Sequence, residues 1–495
     1  MLNLISSALL AAFQAIPQLF SPTALPEDLS VGNIEDASQY RVVQINEALL
    51  EESAQELYLS LMPGVTVLAR HIGTDYFPDG IVWRGEVVGE NDSTVDLSLS
   101  NQVLMGTVRY HDVFFQIEYA GNSTHRVKLI DESLAPKCGT DASHEIKSSI
   151  EKKHLGASTP QTSNTVIDVL VVYSTAAKNA VGGSSAMTSK INLAISESNS
   201  AYSSSFVNQE LSLVHKAEMV GYTEPSSFSQ ILYDLTDQND GDMDSVHALR
   251  DQYDADMVAM ICRNSQYCGI AWLMTNVSVG FASNAFSVTN YSCATGYYSF
   301  AHELGHNMGS SHDPQNASSG AYSYSFGYRT SNNAYRTVMA YSPGSRILRF
   351  SNPNVTYNGY TMGNASQDNA RSLNNTSSTV ADFRIGTPPP PQGPILTVPT
   401  LTGGSGVIMN VEQCSPNNDV YFLYSLTGPG PSVTSYGTAS LSFPIKVLIQ
   451  RTTTNTGTAS WYGVVPISAS GRQIWLQALD ASSLTWSNGV YQLIL

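Results

Sequence analysis

Residues 299–313 read Ser-Phe-Ala-His-Glu-Leu-Gly-His-Asn-Met-Gly-Ser-Ser-His-Asp. His302 and His306 are four residues apart, so on a helix both imidazoles project from one face, one turn apart. Gly309 tolerates a positive φ and allows a sharp turn, after which His312 arrives as a third imidazole. Three histidines that leave a fourth position for water are typical of a catalytic zinc site rather than a structural one. These residues therefore predict a helix, a turn and one bound zinc ion.

Glu303 stands next to the first predicted ligand and gives the site its chemistry. Zinc lowers the pKa of a bound water towards neutrality. A neighbouring carboxylate can accept the proton of that water and pass it to a leaving amine. A lone histidine usually has a surface or core role, but agreement at all of these positions by chance is improbable. The pattern indicates hydrolysis by an activated water, with Glu303 as the general base.

The same residues resemble the extended zinc motif of the metzincin metallopeptidases, position by position. The resemblance implies a zinc-dependent endopeptidase that acts on proteins or peptides. It also implies a tight turn downstream that places a methionine beneath the zinc. Thr337-Val-Met-Ala-Tyr-Ser fits that turn with Met339 as the methionine, and plain core packing of Met339 is the alternative.

Neighbouring residues resemble different branches of the metzincins. Asp313, directly after the third histidine, is similar to the reprolysin or adamalysin branch, in which it helps to hold the end of the motif in place. Tyr341 is similar to the astacins and serralysins, whose tyrosine ligates zinc or supports the transition state. The segment that begins Phe350-Ser-Asn-Pro resembles bacterial peptidyl-Asp metalloendopeptidases. That resemblance implies cleavage before acidic residues, with Arg346 or Arg349 pairing with a substrate carboxylate; structural salt bridges on the surface are the alternative for both.

The cysteines number five, so at least one thiol stays unpaired within the chain. Cys138 lies in Pro136-Lys-Cys-Gly-Thr-Asp, which resembles the cysteine switch of metzincin propeptides, where a Cys-Gly pair blocks the zinc until the prosegment is cut away. A disulfide from Cys138 to Cys414 or to another cysteine is the alternative. We expect a bridge between Cys268 and Cys293, because both flank the family-like edge strand and the zinc helix. Cys262 is the competing partner for Cys268, and the partners of Cys262 and Cys414 stay open.

The first third of the chain carries two predicted segments. Residues 2–20 are largely apolar and uncharged, and a Pro-rich stretch follows, which predicts a signal peptide over residues 1–24; a buried N-terminal helix is the alternative. Short strand-like runs and then a polar linker predict a β-rich propeptide over residues 25–163. We expect the activating cut between residues 140 and 165, near Lys152-Lys153.

The remainder of the chain predicts a catalytic domain, a spacer and an accessory domain. Alternating strands and helices over residues 164–385 predict an α/β (α+β) metzincin catalytic domain with a mixed, mostly parallel sheet and an active-site helix. The run of prolines after Thr387 predicts a stiff linker over residues 386–394. Further short strands without helical period predict an antiparallel β-sandwich over residues 395–495.

The charge and composition of the chain argue against some classes of function. The formal net charge of −17 argues against a nucleic-acid partner, because phosphate binding needs clustered Lys and Arg. No segment after the predicted signal has the roughly 18 apolar residues that a membrane span needs. We therefore expect a secreted monomer. A secreted adhesin or binding protein in which residues 395–495 carry the main role is the rival hypothesis, and Glu303 argues against a dead protease fold.

An acidic run over residues 234–244 is the other metal candidate in the sequence. It fails the spacing of an EF-hand calcium loop, because the residue five before Gly241 is Thr236 rather than Asp. A solvated loop and helix cap is the simpler interpretation. A structural Ca²⁺ ion therefore has no motif to support it.

Overall fold

The computed structural model describes residues 16–22, 37–141, 144–146, 164–384, 394–430, 432–434 and 436–495. Most of the predicted signal peptide, the expected cut near Lys152-Lys153 and nearly all of the predicted Pro-rich linker lie outside these residues. The chain divides into two compact units, residues 1–385 and 386–495, and each is described by itself. Within the described ranges, every helix is too short or too polar to span a bilayer.

The first unit opens with an antiparallel sheet in the strand order β1-β2-β9-β8-β7-β6-β5-β4-β3. The short helix α1 (Ala48–Glu51) connects β2 to β3. In β3, buried Leu57, Leu59 and Leu61 alternate with more exposed neighbours, as expected for a strand with one face on a core. The strands are β1 (Phe20–Pro22), β2 (Ala37–Ile45), β3 (Glu56–Met62), β4 (Val65–Phe77), β5 (Gly80–Val87), β6 (Thr94–Ser100), β7 (Val103–Tyr110), β8 (Val113–Gly121) and β9 (Thr124–Ile130).

Residues 17–22 close this sheet on itself. The Leu19 N–H donates to the Tyr58 carbonyl at 3.0 Å, and the Tyr58 N–H donates to the Pro17 carbonyl at 2.9 Å, which joins the first strand of the order to the last. Leu19 and Phe20 are buried in the core of the sheet. Part of the predicted signal peptide is therefore a structural part of the N-terminal sheet.

Residues 164–384 have the mixed α/β class that the sequence predicts. The central sheet has the order β12-β11-β13-β16-β14, in which β11, β12, β13 and β16 run parallel and β14 is antiparallel to β16. Its strands, with the pair β10-β15, are β10 (Glu145–Ile146), β11 (Thr165–Ser174), β12 (Gln209–Met219), β13 (Met257–Cys262), β14 (Gly269–Ala271), β15 (Leu273–Met274) and β16 (Phe286–Asn290). Every residue of β13 is buried, which explains its continuous apolar run.

Six helices and two small strand pairs complete this part of the chain. The helices are α2 (Thr175–Val181), α3 (Ser184–Ser204), α4 (Phe228–Thr236), α5 (Ser245–Gln252), α6 (Ser299–Asn307) and α7 (Asn369–Val380). The strand pairs are β17 (Tyr335–Arg336) with β18 (Ser345–Arg346), and β19 (Asn352–Tyr357) with β20 (Tyr360–Met362).

Helix α3 connects the N-terminal sheet to the central sheet. On one side the Ser189 hydroxyl donates to the Val103 carbonyl of β7 at 2.7 Å. On the other side the Asn199 side-chain amide donates to the Leu211 carbonyl of β12 at 3.0 Å. Val82 and Val103 of the N-terminal sheet belong to the same buried cluster as the apolar residues of the central sheet. The two sheets and α3 therefore share one core.

The second unit contains antiparallel strands in two larger sheets, β21-β22-β27 and β26-β23-β28-β29, with β30 paired to β28 and a separate pair β24-β25. Val407 and Met409 of the first sheet and Phe422 and Leu476 of the second share one buried cluster. The strands are β21 (Ile395–Thr397), β22 (Gly406–Glu412), β23 (Asp419–Ser425), β24 (Ser432–Thr434), β25 (Gly437–Ala439), β26 (Lys446–Thr452), β27 (Ala459–Val464), β28 (Gln473–Asp480), β29 (Thr485–Trp486) and β30 (Val490–Leu493).

Candidate metal centre

Helix α6 is buried along its whole length and carries His302, Glu303 and His306. The chain turns back at Gly309, whose φ of +86° is left-handed. A Cβ on Gly309 would lie 2.4 Å from the Cβ of Ala321, so both the conformation and the space require glycine. After this turn His312 lies beside the two helical histidines.

The Nε2 atoms of the three histidines converge on one point. They lie 3.2 Å apart for His302 and His306, 3.1 Å for His306 and His312, and 3.2 Å for His302 and His312. Two nitrogens that each lie about 2.0–2.1 Å from a zinc ion, at a tetrahedral angle, are about 3.3 Å apart. The spacing of the three donors therefore fits a single metal ion.

The protonation of the imidazoles also fits a metal. Nδ1 of His302 donates to the Val338 carbonyl at 2.8 Å, and Nδ1 of His306 donates to the Ser310 carbonyl at 2.9 Å. These carbonyls assign the proton to Nδ1 and leave the Nε2 lone pair facing the centre. Burial lowers the pKa of His306 to about 3 and lowers those of His302 and His312 well below their usual value. All three rings are therefore neutral, as metal binding requires.

Cys138 of the N-terminal part supplies a fourth donor. Its Sγ lies 3.7 Å from Nε2 of His306 and 3.4 Å from Oε2 of Glu303. The four ligand atoms all lie within 4.8 Å of one another, and the described parts of the chain hold no second such cluster. Burial, and then the charge of Glu303, raise the pKa of the Cys138 thiol. A metal ion reverses that balance, because a coordinating thiol is deprotonated outright.

The other cysteines fall into one bridge and two thiols. Cys268 and Cys293 form a disulfide, whereas Cys262 and Cys414 are free and buried. Cys138 is free as well. In the structure Cys138 therefore lies among the histidines and not in a bridge to Cys414, and Cys262 does not pair with Cys268.

Glu303 lies between the histidines and the edge strand β14. Burial raises its pKa to about 8, and its Oε1 has no hydrogen-bond partner among the described residues. A Cβ on Gly269 would lie 2.3 Å from that oxygen. The close approach of β14 to the carboxylate therefore depends on glycine at position 269.

The segment around Cys138 lies along the edge strand. The Cys268 N–H donates to the Lys137 carbonyl at 3.0 Å, and the Gly139 N–H donates to the Gly269 carbonyl at 2.8 Å. The Thr140 hydroxyl accepts from the Ala271 N–H at 2.9 Å. Strand β10 continues this pairing parallel to β15. Residues 137–140 of the predicted propeptide thus cover both the edge strand and the histidine cluster.

The predicted methionine turn lies under α6. Met339 is fully buried, and a Cβ on Gly305 would lie 2.8 Å from its sulfur. The Tyr341 hydroxyl donates to the Cys138 carbonyl at 2.9 Å, and its ring centroid lies 4.2 Å from that of His312. Asp313 accepts from the Tyr341 N–H at 3.0 Å and pairs with Arg329 at 3.0 Å, which fixes the end of the histidine motif to the turn.

The two predicted substrate-pocket arginines differ in their surroundings. Arg349 pairs with Asp92 of the N-terminal part at 2.7 Å. It therefore makes a structural salt bridge, the alternative that the sequence analysis gave for this residue. Arg346 is buried and donates to the Tyr297 carbonyl at 2.9 Å. Its charge contributes, after burial and the neighbouring His306, to the lowered pKa values of His302 and His312.

Sequence patterns did not predict two residues that lie beside Arg346. The Arg346 N–H donates to Oε2 of Glu132 at 2.9 Å, and Arg336 pairs with the same oxygen at 3.4 Å. Glu132 and Arg336 lie 204 positions apart. Neither residue belongs to a recognisable motif, so sequence patterns gave no signal for them.

The acidic run over residues 234–244 is largely an exposed loop, as expected, but the Asp244 side chain does not cap α5. Asp234 is buried and accepts from the Tyr222 hydroxyl at 2.8 Å. The side chains of Asp237, Asp240 and Asp242 are exposed. No metal-binding cluster involves them among the described residues.

A mixed α/β unit with three converging neutral imidazoles next to a buried carboxylate defines a metallopeptidase. The model of a reprolysin-type family, described as metallo-peptidase family M12, matches residues 163–351. The peptidyl-Asp metalloendopeptidase of Xanthomonas campestris pv. campestris is 33% identical over 384 residues, which cover 73% of this chain and 90% of that protein. That of Stenotrophomonas maltophilia is 32% identical over 411 residues, 76% of this chain and 95% of that protein. The chain therefore belongs to metallopeptidase family M12 and is a zinc metalloendopeptidase.

More distant matches were also found. A peptidyl-Asp metalloendopeptidase of Pseudomonas aeruginosa is 31% identical over 306 residues, which cover 52% of this chain and 49% of that protein. A solved structure described as a chaperone-substrate complex is 20% identical with a TM-score of 0.36, over 45% of this chain and 36% of that chain. The second likeness is too weak to support an argument.

Proposed function

We propose that the protein is a secreted endopeptidase, made as a latent precursor, in which His302, His306 and His312 hold zinc and Glu303 is the general base. The observation that carries this proposal is the convergence of three neutral Nε2 atoms beside the buried Glu303 carboxylate. Zinc held there supplies a Lewis acid that lowers the pKa of water towards neutrality. Glu303 takes the proton of the attacking water and delivers it to the leaving amine.

The activated enzyme tests this assignment directly. Purified enzyme should contain one zinc ion per chain and hydrolyse casein. Hydrolysis should stop in o-phenanthroline and return when Zn²⁺ is restored. Full activity in a sample dialysed free of metal would contradict the proposal.

The latency of the precursor follows from Cys138. Its sulfur lies among the histidines, where it competes with water for the open position. Residues 137–140 also occupy the hydrogen-bonding edge of β14, where an extended substrate would pair. We infer that the residues between the end of the signal peptide and residue 163 are a propeptide, and that a cut between residues 140 and 165 frees both positions at once.

The remaining domain assignments are part of the same proposal. We place the end of the signal peptide before residue 16, because residues 17–22 complete the N-terminal sheet. We assign residues 164–385 to catalysis and residues 395–495 to an accessory β-sandwich, whose two larger sheets share a core. The adhesin alternative is not favoured, because relatives named as endopeptidases match most of the chain.

We also propose cleavage before acidic residues. The relatives are named peptidyl-Asp metalloendopeptidases, and Arg346 supplies buried positive charge close to the histidine cluster. A cleavage-site profile of the activated enzyme on a proteome digest tests the preference. A profile dominated by large apolar residues after the cut bond would reject it.

A further inference from the structure

One glutamate and three arginines meet beside the methionine turn. Glu132 begins a short 3₁₀ helix, Glu132–Leu134, and its carboxylate pairs with Arg109 of β7 and with Arg336 of β17. Oε2 of Glu132 also accepts from the Arg346 N–H at 2.9 Å. Arg109, Arg336 and Arg346 retain only 3%, 4% and 8% of their exposure. Burial raises the pKa of Glu132, but Arg109 and Arg336 outweigh burial and hold it below its usual range. Glu132 is therefore an ionised carboxylate whose side chain is only 15% exposed.

The catalytic part holds its two arginines in place without Glu132. Arg336 donates from Nε to the Gly344 carbonyl at 2.7 Å and from Nη1 to the Ala340 carbonyl at 3.0 Å. Arg346 donates from Nη1 to the Tyr297 carbonyl at 2.9 Å. These contacts fix both guanidinium groups with main-chain oxygens of the catalytic part alone. These main-chain oxygens remain available to hold both guanidinium groups after the propeptide is removed.

Removal of the propeptide deprives Arg336 of its partner carboxylate. Among the residues that the structure describes, Glu132 is the only carboxylate within 4.0 Å of Arg336, and none lies that close to the Arg346 guanidinium. Glu132 and Arg109 leave together, because both belong to the N-terminal part. The Arg336 guanidinium and the Arg346 main-chain N–H then lose the carboxylate that they bound. A guanidinium held by main-chain carbonyls binds a carboxylate through charge-assisted hydrogen bonds, so the position favours another carboxylate.

The position that the Glu132 carboxylate occupies lies next to the catalytic groups. The Ala340 carbonyl that holds Arg336 stands between Met339, under the zinc helix, and Tyr341, beside His312. The propeptide chain that fills the position reaches the histidines six residues later, at Cys138. The Arg346 guanidinium, at 3.4 Å, shares the Ala340 carbonyl with Arg336, and its charge acts on His302 and His312. A peptide bound with its cut bond at the histidines can therefore place the side chain after that bond towards the two arginines.

We propose that Arg336, with the N–H of Arg346, forms the pocket for an acidic substrate side chain, and that Glu132 fills this pocket in the precursor as a substrate mimic. The inference rests on the proposed endopeptidase function. The planar fork of Arg336 matches a carboxylate, and the Arg346 guanidinium adds a second positive charge behind it. Latency then has two parts, the sulfur at the metal and the carboxylate in the specificity pocket.

Matched peptides test the pocket in the activated enzyme. Three peptides differ only in Asp, Asn or Leu after the cut bond, and kcat/KM is measured for each. Arg336→Met should reduce kcat/KM for the Asp peptide by about 10-fold or more, the usual size of a lost charged hydrogen bond, and leave that for the Leu peptide within a few-fold. Arg336→Lys, which keeps the charge but not the fork, should lie between Met and the parent. Arg371→Met, which removes an exposed arginine on α7, is the matched control and should keep the parent ratio.

The precursor tests the mimic. Glu132→Gln keeps the acceptor for the Arg346 N–H and removes the charge, so the full-length precursor should activate several-fold faster after limited proteolysis. Asp131→Asn removes an adjacent exposed charge on the same segment and should activate at the parent rate. Equal activation rates for Glu132→Gln and the parent would overturn the mimic.

The outcomes separate this inference from the function on which it rests. Should the zinc-loaded parent cleave none of the peptides, the endopeptidase proposal itself fails and the pocket fails with it. Should the parent cleave the Asp and Leu peptides alike, or should Arg336→Met keep the parent's preference for Asp, the pocket is wrong while the endopeptidase proposal stands. A selective loss on the Asp peptide in Arg336→Met supports the pocket.

Discussion

Glu303 illustrates how a single buried side chain determines the chemistry. Its carboxylate lies beside the histidine cluster but is not one of the candidate metal ligands. Glu303→Ala should therefore keep the bound zinc and reduce kcat by at least about 10²–10⁴-fold, the usual contribution of a general base. Zinc content by mass spectrometry and casein hydrolysis measure the two effects separately. A variant that cleaves near the parent rate would show that another group takes the proton.

The site residues that sequence patterns predicted lie close together along the chain, whereas the residues that the patterns missed lie far apart. His302, Glu303, His306 and His312 fall within eleven consecutive positions, so helical geometry and one glycine turn fix their relation. The contact between Glu132 and Arg336 joins positions 204 residues apart. Such a contact depends on the packing of the N-terminal sheet against the catalytic sheet, which no local pattern encodes.

Two buried carboxylates at the contact of α3 with the N-terminal sheet predict a pH effect on the precursor. Burial and nearby carboxylates raise the pKa of Asp96, on β6, to about 7 and that of Glu197, on α3, to about 8. Glu197 accepts from the Thr107 hydroxyl and the Gly296 N–H, and Arg84 and Lys190 oppose the two shifts in part.

The sign of the effect follows from proton linkage. The folded precursor keeps these protons to higher pH than the unfolded chain, so their contribution to stability falls as pH rises. The buried histidines act in the opposite direction, but only below about pH 6.5, where imidazoles of the unfolded chain gain protons. The free energy of unfolding should therefore fall between about pH 6.5 and 8, by up to about 1.4 kcal/mol per pH unit for each group.

Glu197→Gln isolates this contribution. The variant removes the titrating group and keeps its hydrogen-bond acceptor, so its stability relative to the parent should increase as pH rises from 6.5 to 8. Denaturant unfolding at several pH values measures the difference, with the exposed Glu51→Gln as control. A difference between Glu197→Gln and the parent that does not change with pH would contradict the predicted linkage.

The disulfide between Cys268 and Cys293 gives a second prediction for the elements around the site. It joins the start of β14 to the loop before α6 across 25 residues. Replacing both cysteines by serine should lower the free energy of unfolding by about 3 kcal/mol, the usual value for a loop of this length. Thiol titration of the unreduced, denatured precursor should find three thiols, at Cys138, Cys262 and Cys414. Five thiols after oxidative folding would exclude the bridge.

At the level of the whole molecule, the order of strands and helices was easier to predict than the way they assemble. The alternation after residue 164 and the buried run in β13 predicted the mixed α/β class. The shared core, in which Val82 and Val103 of the N-terminal sheet pack with the catalytic residues, was not predicted, because a hydrophobic pattern reveals a buried face but not its partner. The role of residues 17–22 was missed for the same reason, since an apolar N-terminal segment fits both a signal peptide and a buried strand.

The response of the precursor to loss of Cys138 follows from three features together. These are the shared core, the pairing with the edge strand, and the two side chains that fill the site. Cys138→Ala removes the sulfur but keeps the main-chain bonds to β14 and the Glu132 contact with Arg336. This precursor should therefore process itself during expression more slowly than the double variant Cys138→Ala, Glu132→Gln, and both should exceed the parent.

The zinc environment tests the sulfur part of latency independently of activity. X-ray absorption of the uncut parent precursor should show a sulfur ligand at about 2.3 Å, the usual zinc–thiolate distance. Cys138→Ala and the activated enzyme should show only nitrogen and oxygen ligands. Because Glu132 does not lie within the ligand cluster, Glu132→Gln should keep the sulfur signal while it changes the activation rate. A parent precursor without sulfur at zinc would mean that the pairing of residues 137–140 with β14 and the Glu132 contact maintain latency without Cys138.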